Sequence, residues 1–130
     1  MKLRQFLAAF AIVGALATVG TALPGVTPTA EAAPGGYWGA ISWNYEGRTS
    51  YAVNYGSERA ALHAAKRRCG SRCGWFTFYR SCGAVAYKFG AYRTRVGTAR
   101  GYPTRASAQR AAKRKAGPGS HVRGWACTSR

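Results

Sequence analysis

The 130-residue chain contains no aspartate, and its carboxylate side chains are Glu31, Glu46 and Glu58 alone. That absence excludes an aspartic dyad, a carboxylate-bridged two-metal centre and a Ser-His-Asp triad, each of which needs acids this sequence does not have. Histidine is almost as scarce, with only His63 and His121. Against three acids stand 20 lysines and arginines, a formal charge of +17 at neutral pH. The chain is nevertheless not a disordered polyelectrolyte. Its 47% hydrophobic content, with 13% aromatics, supplies enough apolar surface to offset chain entropy in one ordinary domain.

The N-terminal quarter reads as an address. Lys2 and Arg4 precede a run from Phe6 to Leu23 without a charge, and small residues follow at Ala30 and Ala32. A positive start, an apolar stretch and an Ala-x-Ala site make residues 1–32 a secretory signal peptide, with cleavage after Ala32. A membrane anchor is the rival reading, since the apolar run sits at the margin for spanning a bilayer. Gly14 and Gly20 inside the run favour cleavage. Residues 33–130 are then a single secreted, extracellular domain with no membrane span, carrying 18 basic and two acidic side chains.

A domain that small is marginal without covalent help. All four cysteines, Cys69, Cys73, Cys82 and Cys127, lie in it. In an oxidising compartment an even count reads as two disulfides, and the spacing lacks the paired short knuckles of structural zinc. Neither a metal nor a cofactor is expected.

The domain repeats itself. The segment from Tyr55 to Gly70 aligns with Tyr102 to Gly117 at an offset of 47, sharing Ala61/Ala108, Ala64/Ala111, Ala65/Ala112, Lys66/Lys113 and Arg67/Arg114. Upstream, Gly39-Ala40-Ile41-Ser42 matches Gly83-Ala84-Val85-Ala86 at an offset of 44. In each segment a hydroxyl residue, Ser57 or Thr104, is placed to cap a helix of strong helix formers, and a glycine, Gly70 or Gly117, is placed to end it. Alanines fall on one helical face, with Arg59, His63, Lys66 and Arg67 opposite, mirrored by Arg110, Lys113 and Arg114. Aromatic and β-branched stretches at 37–43, 49–54, 75–79, 83–89, 95–99 and 122–127 read as strands, joined by hairpin loops at 44–48 and 90–93. The expectation is an α+β fold: a tandem ββαβ repeat (unit one at 36–81, unit two at 82–130), a continuous and mainly antiparallel sheet, and both helices packed on it.

On this plan Cys69 and Cys73 bracket a helix end at bridging distance, and a Cys82–Cys127 bond would tie the two units together. Four cysteines allow three connectivities, so other pairings stay open. Ala116 and Val122 stand where the first unit has Cys69 and Cys73, so the second lacks that clip.

The sequence resembles the small exported bacterial proteins grouped as domain of unknown function 4189. The resemblance is carried by Trp38-Gly39-Ala40-Ile41, Tyr55-Gly56-Ser57 ahead of the Ala-rich helix, Cys69 with Cys73, Trp75-Phe76-Thr77-Phe78, Cys82-Gly83-Ala84-Val85-Ala86, the second Tyr-Pro-Thr helix and the closing Trp125-Ala126-Cys127. It implies a secreted single domain without an assigned biochemical role, and it transfers no catalytic residue. This chain departs from the pattern in its missing second clip and its strongly basic surface.

Function is read from charge. Arg59, Lys66, Arg67 and Arg68, with Arg110, Lys113, Arg114 and Lys115, sit on equivalent helices and are expected to form one cationic surface on one side of the sheet. Such a surface attracts polyanions without base or sugar specificity: a cell-wall polymer, acidic lipid, nucleic acid, or an acidic protein. Tyr79-Arg80 and Tyr92-Arg93 add possible cation–π contacts. The domain is therefore expected to be non-enzymatic. The alternatives are a ribonuclease-like hydrolase using His63, His121 or a glutamate as acid and base, and an inhibitor or effector acting on an acidic protein. A lone histidine among arginines on a helix surface is usually just solvated, which weighs against the hydrolase.

Overall fold

The computed structural model describes residues 36–130, so the signal-peptide segment at 1–32 lies outside the described residues. In chain order the elements are β1 (Trp38–Trp43), β2 (Thr49–Tyr55), α1 (Glu58–Cys69), β3 (Gly74–Tyr79), β4 (Cys82–Phe89), β5 (Thr94–Tyr102), α2 (Arg105–Ala116) and β6 (His121–Cys127). The fold is α+β and disulfide-bonded. Every strand pairing in it is antiparallel.

The helices begin and end where capping chemistry dictates. Ser57 Oγ accepts from the Ala60 amide at 3.1 Å, and Thr104 Oγ1 accepts from the Ser107 amide at 3.1 Å. At the far ends Gly70 (φ +123°) and Gly117 (φ +104°) occupy the positive-φ region that side chains avoid. Their amides donate to Lys66 O and Lys113 O at 2.8 and 2.9 Å, closing the last turn.

The expected continuous sheet is not what forms. The described strands make two three-stranded sheets, ordered β2-β1-β3 and β5-β4-β6. The reason is visible in how the strands alternate. One face of β1 and β4 carries Ala40, Ala84 and Ala86, small enough for a helix to lie close. The opposite face carries Ile41, Val85 and Tyr87. A single sheet with both helices on one side would leave the bulky face in water. Instead the two bulky faces pack on each other: Ile41, Phe76 and Phe78 from the first sheet join Val85, Tyr87 and Ala126 from the second in one buried cluster. The molecule is thus layered helix, sheet, sheet, helix. Because β4 is covered on both sides, its residues from Cys82 to Tyr87 are all buried.

Close approach between layers depends on residues without side-chain bulk. A Cβ at Gly83 would lie 2.9 Å from the Phe76 ring of the other sheet, and within the first sheet a Cβ at Gly39 would strike the ring of its cross-strand partner Phe78 at 2.4 Å. A Cβ at Gly97 would lie 2.1 Å from Ala112 O, so α2 presses its backbone onto β5.

The disulfides join Cys69 to Cys73 and Cys82 to Cys127. The second does not tie the two halves together. Cys82 and Cys127 face each other across β4 and β6 of one sheet, so the bond closes that sheet upon itself. The two halves are held instead by the buried faces between the sheets. The position matching Cys73 also moves from Val122 to Ser120. Cys73 N donates to Gly70 O at 3.2 Å, and Ser120 N donates to Gly117 O at 3.2 Å, in the same turn.

Candidate anion-binding surface

The basic side chains singled out from the sequence fall into two groups, set by the layering. On α1, Ala61, Ala64, Ala65 and Cys69 are buried against the first sheet. This leaves Arg59, Arg67 and Arg68 exposed and Lys66 half-buried on the outer side. On α2, Ala108, Ala111, Ala112 and Ala116 are buried against the second sheet, and Arg110, Lys113, Arg114 and Lys115 are exposed. The helices cover the two outermost faces of a stacked pair of sheets. The expectation of one cationic side is therefore corrected: there are two cationic faces, pointing away from each other. The expectation missed this because it placed both helices on the same side of one sheet.

Some of these cations also have local structural work. Arg68 Nη1 donates to Tyr51 O on edge strand β2 at 2.9 Å, and Lys115 Nζ donates to Thr98 O on edge strand β5 at 2.7 Å. Each ties its helix to the nearest strand edge. Lysines and arginines in the last helical turn also offset the negative end of the helix dipole.

The structure adds a further cationic region, at the seam between the sheets, that the sequence reading missed. Where β2 of one sheet runs beside β6 of the other, Arg68, Arg123, Tyr51 and Trp125 line an open groove of about 360 Å³. Thr49 Oγ1 bridges the seam to Arg123 O at 3.2 Å. The Arg105 guanidinium lies 3.9 Å over the Trp125 ring, a cation–π contact. Nothing local announces this seam, because Thr49 and Arg123, which meet across it, are 74 residues apart and come together only through sheet stacking. Elsewhere Arg80 sits 4.0 Å over Tyr37 and 5.6 Å over Tyr79. The Tyr37 contact follows from the Arg80 amide donating to Tyr37 O at 3.0 Å.

The remaining titratable groups are spread apart. His63 is exposed on the outer side of α1, and His121 is exposed at the start of β6 in the other sheet. Glu58 accepts from Thr77 Oγ1 at 2.7 Å, and Glu46 lies exposed in the β1–β2 turn. Buried Tyr87 has its hydroxyl pushed up to about 12 by desolvation, and that hydroxyl donates to Asn44 O at 2.8 Å. Among the described residues no three His, Cys, Asp or Glu side chains converge where a metal could sit. Among them, too, no helix is long and apolar enough to cross a membrane.

Comparison with known proteins gives a consistent but silent answer about activity. The family model described as domain of unknown function (DUF4189) matches residues 38–127. Protein Rv1269c and Protein MT1307 of Mycobacterium tuberculosis and Protein Mb1300c of Mycobacterium bovis are each 36% identical over 91 residues, covering 69% of this chain and 68% of theirs. No solved structure matches.

Proposed function

The chain belongs to the family described as domain of unknown function (DUF4189), and since that description assigns no activity, we propose a role from the chain's own surface: an exported, non-enzymatic cationic domain that binds polyanions through two opposed faces. The observation that carries this reading is the placement of Arg59, Lys66 and Arg67 on one outer helix and Arg110, Lys113 and Arg114 on the other, with only two glutamates in residues 33–130 to offset them. Guanidinium and ammonium groups on such faces displace counterions from an anionic polymer, and the entropy of that release drives association. Opposed faces let one molecule bridge two polymer strands, which a one-sided patch cannot do.

Export is supported by the apolar N-terminal segment and by the use of all four cysteines in disulfides, which persist outside the reducing cytosol. The two ββαβ halves, with matching caps and matching helix exits, support an origin by duplication. That origin accounts for the second cationic face.

The test is a salt series on duplex DNA or heparin with the purified, disulfide-bonded protein. Because the faces point apart, one duplex meets about three cations at a time, so affinity is expected to drop roughly one and a half decades between 50 and 200 mM salt, and a slope twice as steep would mean that both helices reach the same polymer. Binding that is indifferent to salt overturns the electrostatic reading.

A further inference from the structure

The two hairpin turns emerge at the same end of the stacked sheets. Tyr87 at the base of the second hairpin donates to Asn44 O in the first. A Cβ on Gly47 would lie 3.0 Å from the Phe89 ring, so the two tips touch. Both tips are pinned by their own backbones. Asn44 N donates to Arg48 O at 3.0 Å with Asn44 Oδ1 accepting from the Glu46 and Arg48 amides, and Gly90 N donates to Arg93 O at 3.0 Å. These rigid tips hold aromatic rings out in solvent. Tyr45 is 65% exposed, Phe89 52% and Tyr92 101%, the last having no protein cover at all.

Cations stand near the rings. Arg93 follows Tyr92 in the turn and is exposed. Lys88 and Arg95 are cross-strand partners one step back, on the sheet face toward α2, where a Cβ on Gly117 would lie 3.4 Å from Arg95 Nη1. Arg123 lies 5.6 Å from the Phe89 ring centre. Glu46 is the carboxylate at this end.

The geometry points to this end as a docking surface for an anionic lipid bilayer. Tyrosine and phenylalanine rings settle at the boundary between headgroups and hydrocarbon, while cations just behind them meet the negative headgroup layer. A cell-wall anion, or a duplex nucleic acid whose bases are stacked inside, offers no apolar layer for Tyr92 and Tyr45 to enter. Charge complementarity selects an acidic surface, and exposed rings on fixed turns select one with an apolar interior. The inference rests on the polyanion reading above and commits to a lipid source of negative charge at this particular surface.

The experiment is co-sedimentation of the oxidised protein with vesicles of phosphatidylcholine alone and of phosphatidylcholine with 30% phosphatidylglycerol, alongside elution from heparin. The double variant Tyr45→Ser, Tyr92→Ser alters side chains that are mostly in water, so the fold is retained, which near-identical circular dichroism checks. The expected result is capture by the acidic vesicles, a roughly ten-fold weaker partition for the double variant, and unchanged heparin elution. Equal partition of variant and parent overturns the inference, because attachment then comes from elsewhere in the chain. Equal capture by both vesicle types overturns it, as does dimerisation through these rings, seen as a sedimentation shift that the variant loses. If the parent ignores acidic vesicles but is held by heparin, the lipid inference fails and the polyanion reading stands. If both are ignored at low salt, both fail.

Discussion

The two halves of the domain have the same order of elements but close themselves at different places. In the first, a disulfide joins Cys69 at the end of α1 to Cys73 just beyond it. In the second, that turn is held by Ser120 Oγ donating to Lys113 O at 3.1 Å. At the other end the arrangement reverses. The second half bonds Cys82 to Cys127 across β4 and β6, whereas the first places Trp38 opposite Tyr79 with ring centres 5.0 Å apart. Each half therefore has one covalent closure and one non-covalent substitute, in opposite positions. The fold needs both points fastened but does not specify how.

The bonds should differ in worth because they close loops of different length. The sequence separations are 45 for Cys82–Cys127 and 4 for Cys69–Cys73. In the chain-entropy model the longer loop contributes about 4 kcal/mol and the shorter about 2 kcal/mol. Urea denaturation of Cys82→Ala, Cys127→Ala against Cys69→Ala, Cys73→Ala should reproduce that ordering. Equal losses would mean that both bonds act through native contacts instead of through the unfolded chain, and the comparison would break there.

A second contrast lies where each helix meets its sheet. Ser50 Oγ donates to Ala65 O at 2.6 Å, holding α1 at the distance of a hydrogen bond. The corresponding position in the second half is Gly97, and α2 has moved in until Ala112 O and Ala116 N crowd it. Gly97→Ala should cost about 3 kcal/mol through overpacking. Ser50→Ala should cost only about 1 kcal/mol, the net worth of one hydrogen bond. Similar losses at both sites would show that α2 can retreat from its sheet.

Much of this was readable from residues alone. Ser57 with Gly70 and Thr104 with Gly117 mark helix limits because orphan amides need an acceptor and a terminating turn needs positive φ. The hairpin turns follow from loops at 44–48 and 90–93 set between aromatic, β-branched runs. The stacking of sheets was not inferred, although its cause is in the sequence: Ile41, Phe76, Phe78, Val85 and Tyr87 all oppose the alanine faces and need a cover of their own. Missing that cover put both basic helices on one side. The groove lined by Arg68, Arg123, Tyr51 and Trp125 was beyond reach, since no periodicity reports a contact between strands β2 and β6 that arises only when two sheets pack.

The smallest expected effect tests whether the closures can be exchanged. Ala116 and Ser120 occupy the places of Cys69 and Cys73, and the backbone turn between them is the same, with Ser120 N and Cys73 N each 3.2 Å from the glycine carbonyl they meet. Ala116→Cys with Ser120→Cys should therefore form a third disulfide. A four-residue separation again contributes about 2 kcal/mol in the chain-entropy model. Against this, the Ser120 hydroxyl bond to Lys113 O is lost, a net cost of about 1 kcal/mol. A gain of about 1 kcal/mol in urea, with the new bond located by peptide mapping, is the expected outcome. Ala116 is fully buried beside Ala112 and Gly97, so a sulfur there also competes for space that α2 has closed. A loss in place of a gain would show that α2 lies too close to its sheet to accommodate the sulfur, so that the hydroxyl is the better closure at that site.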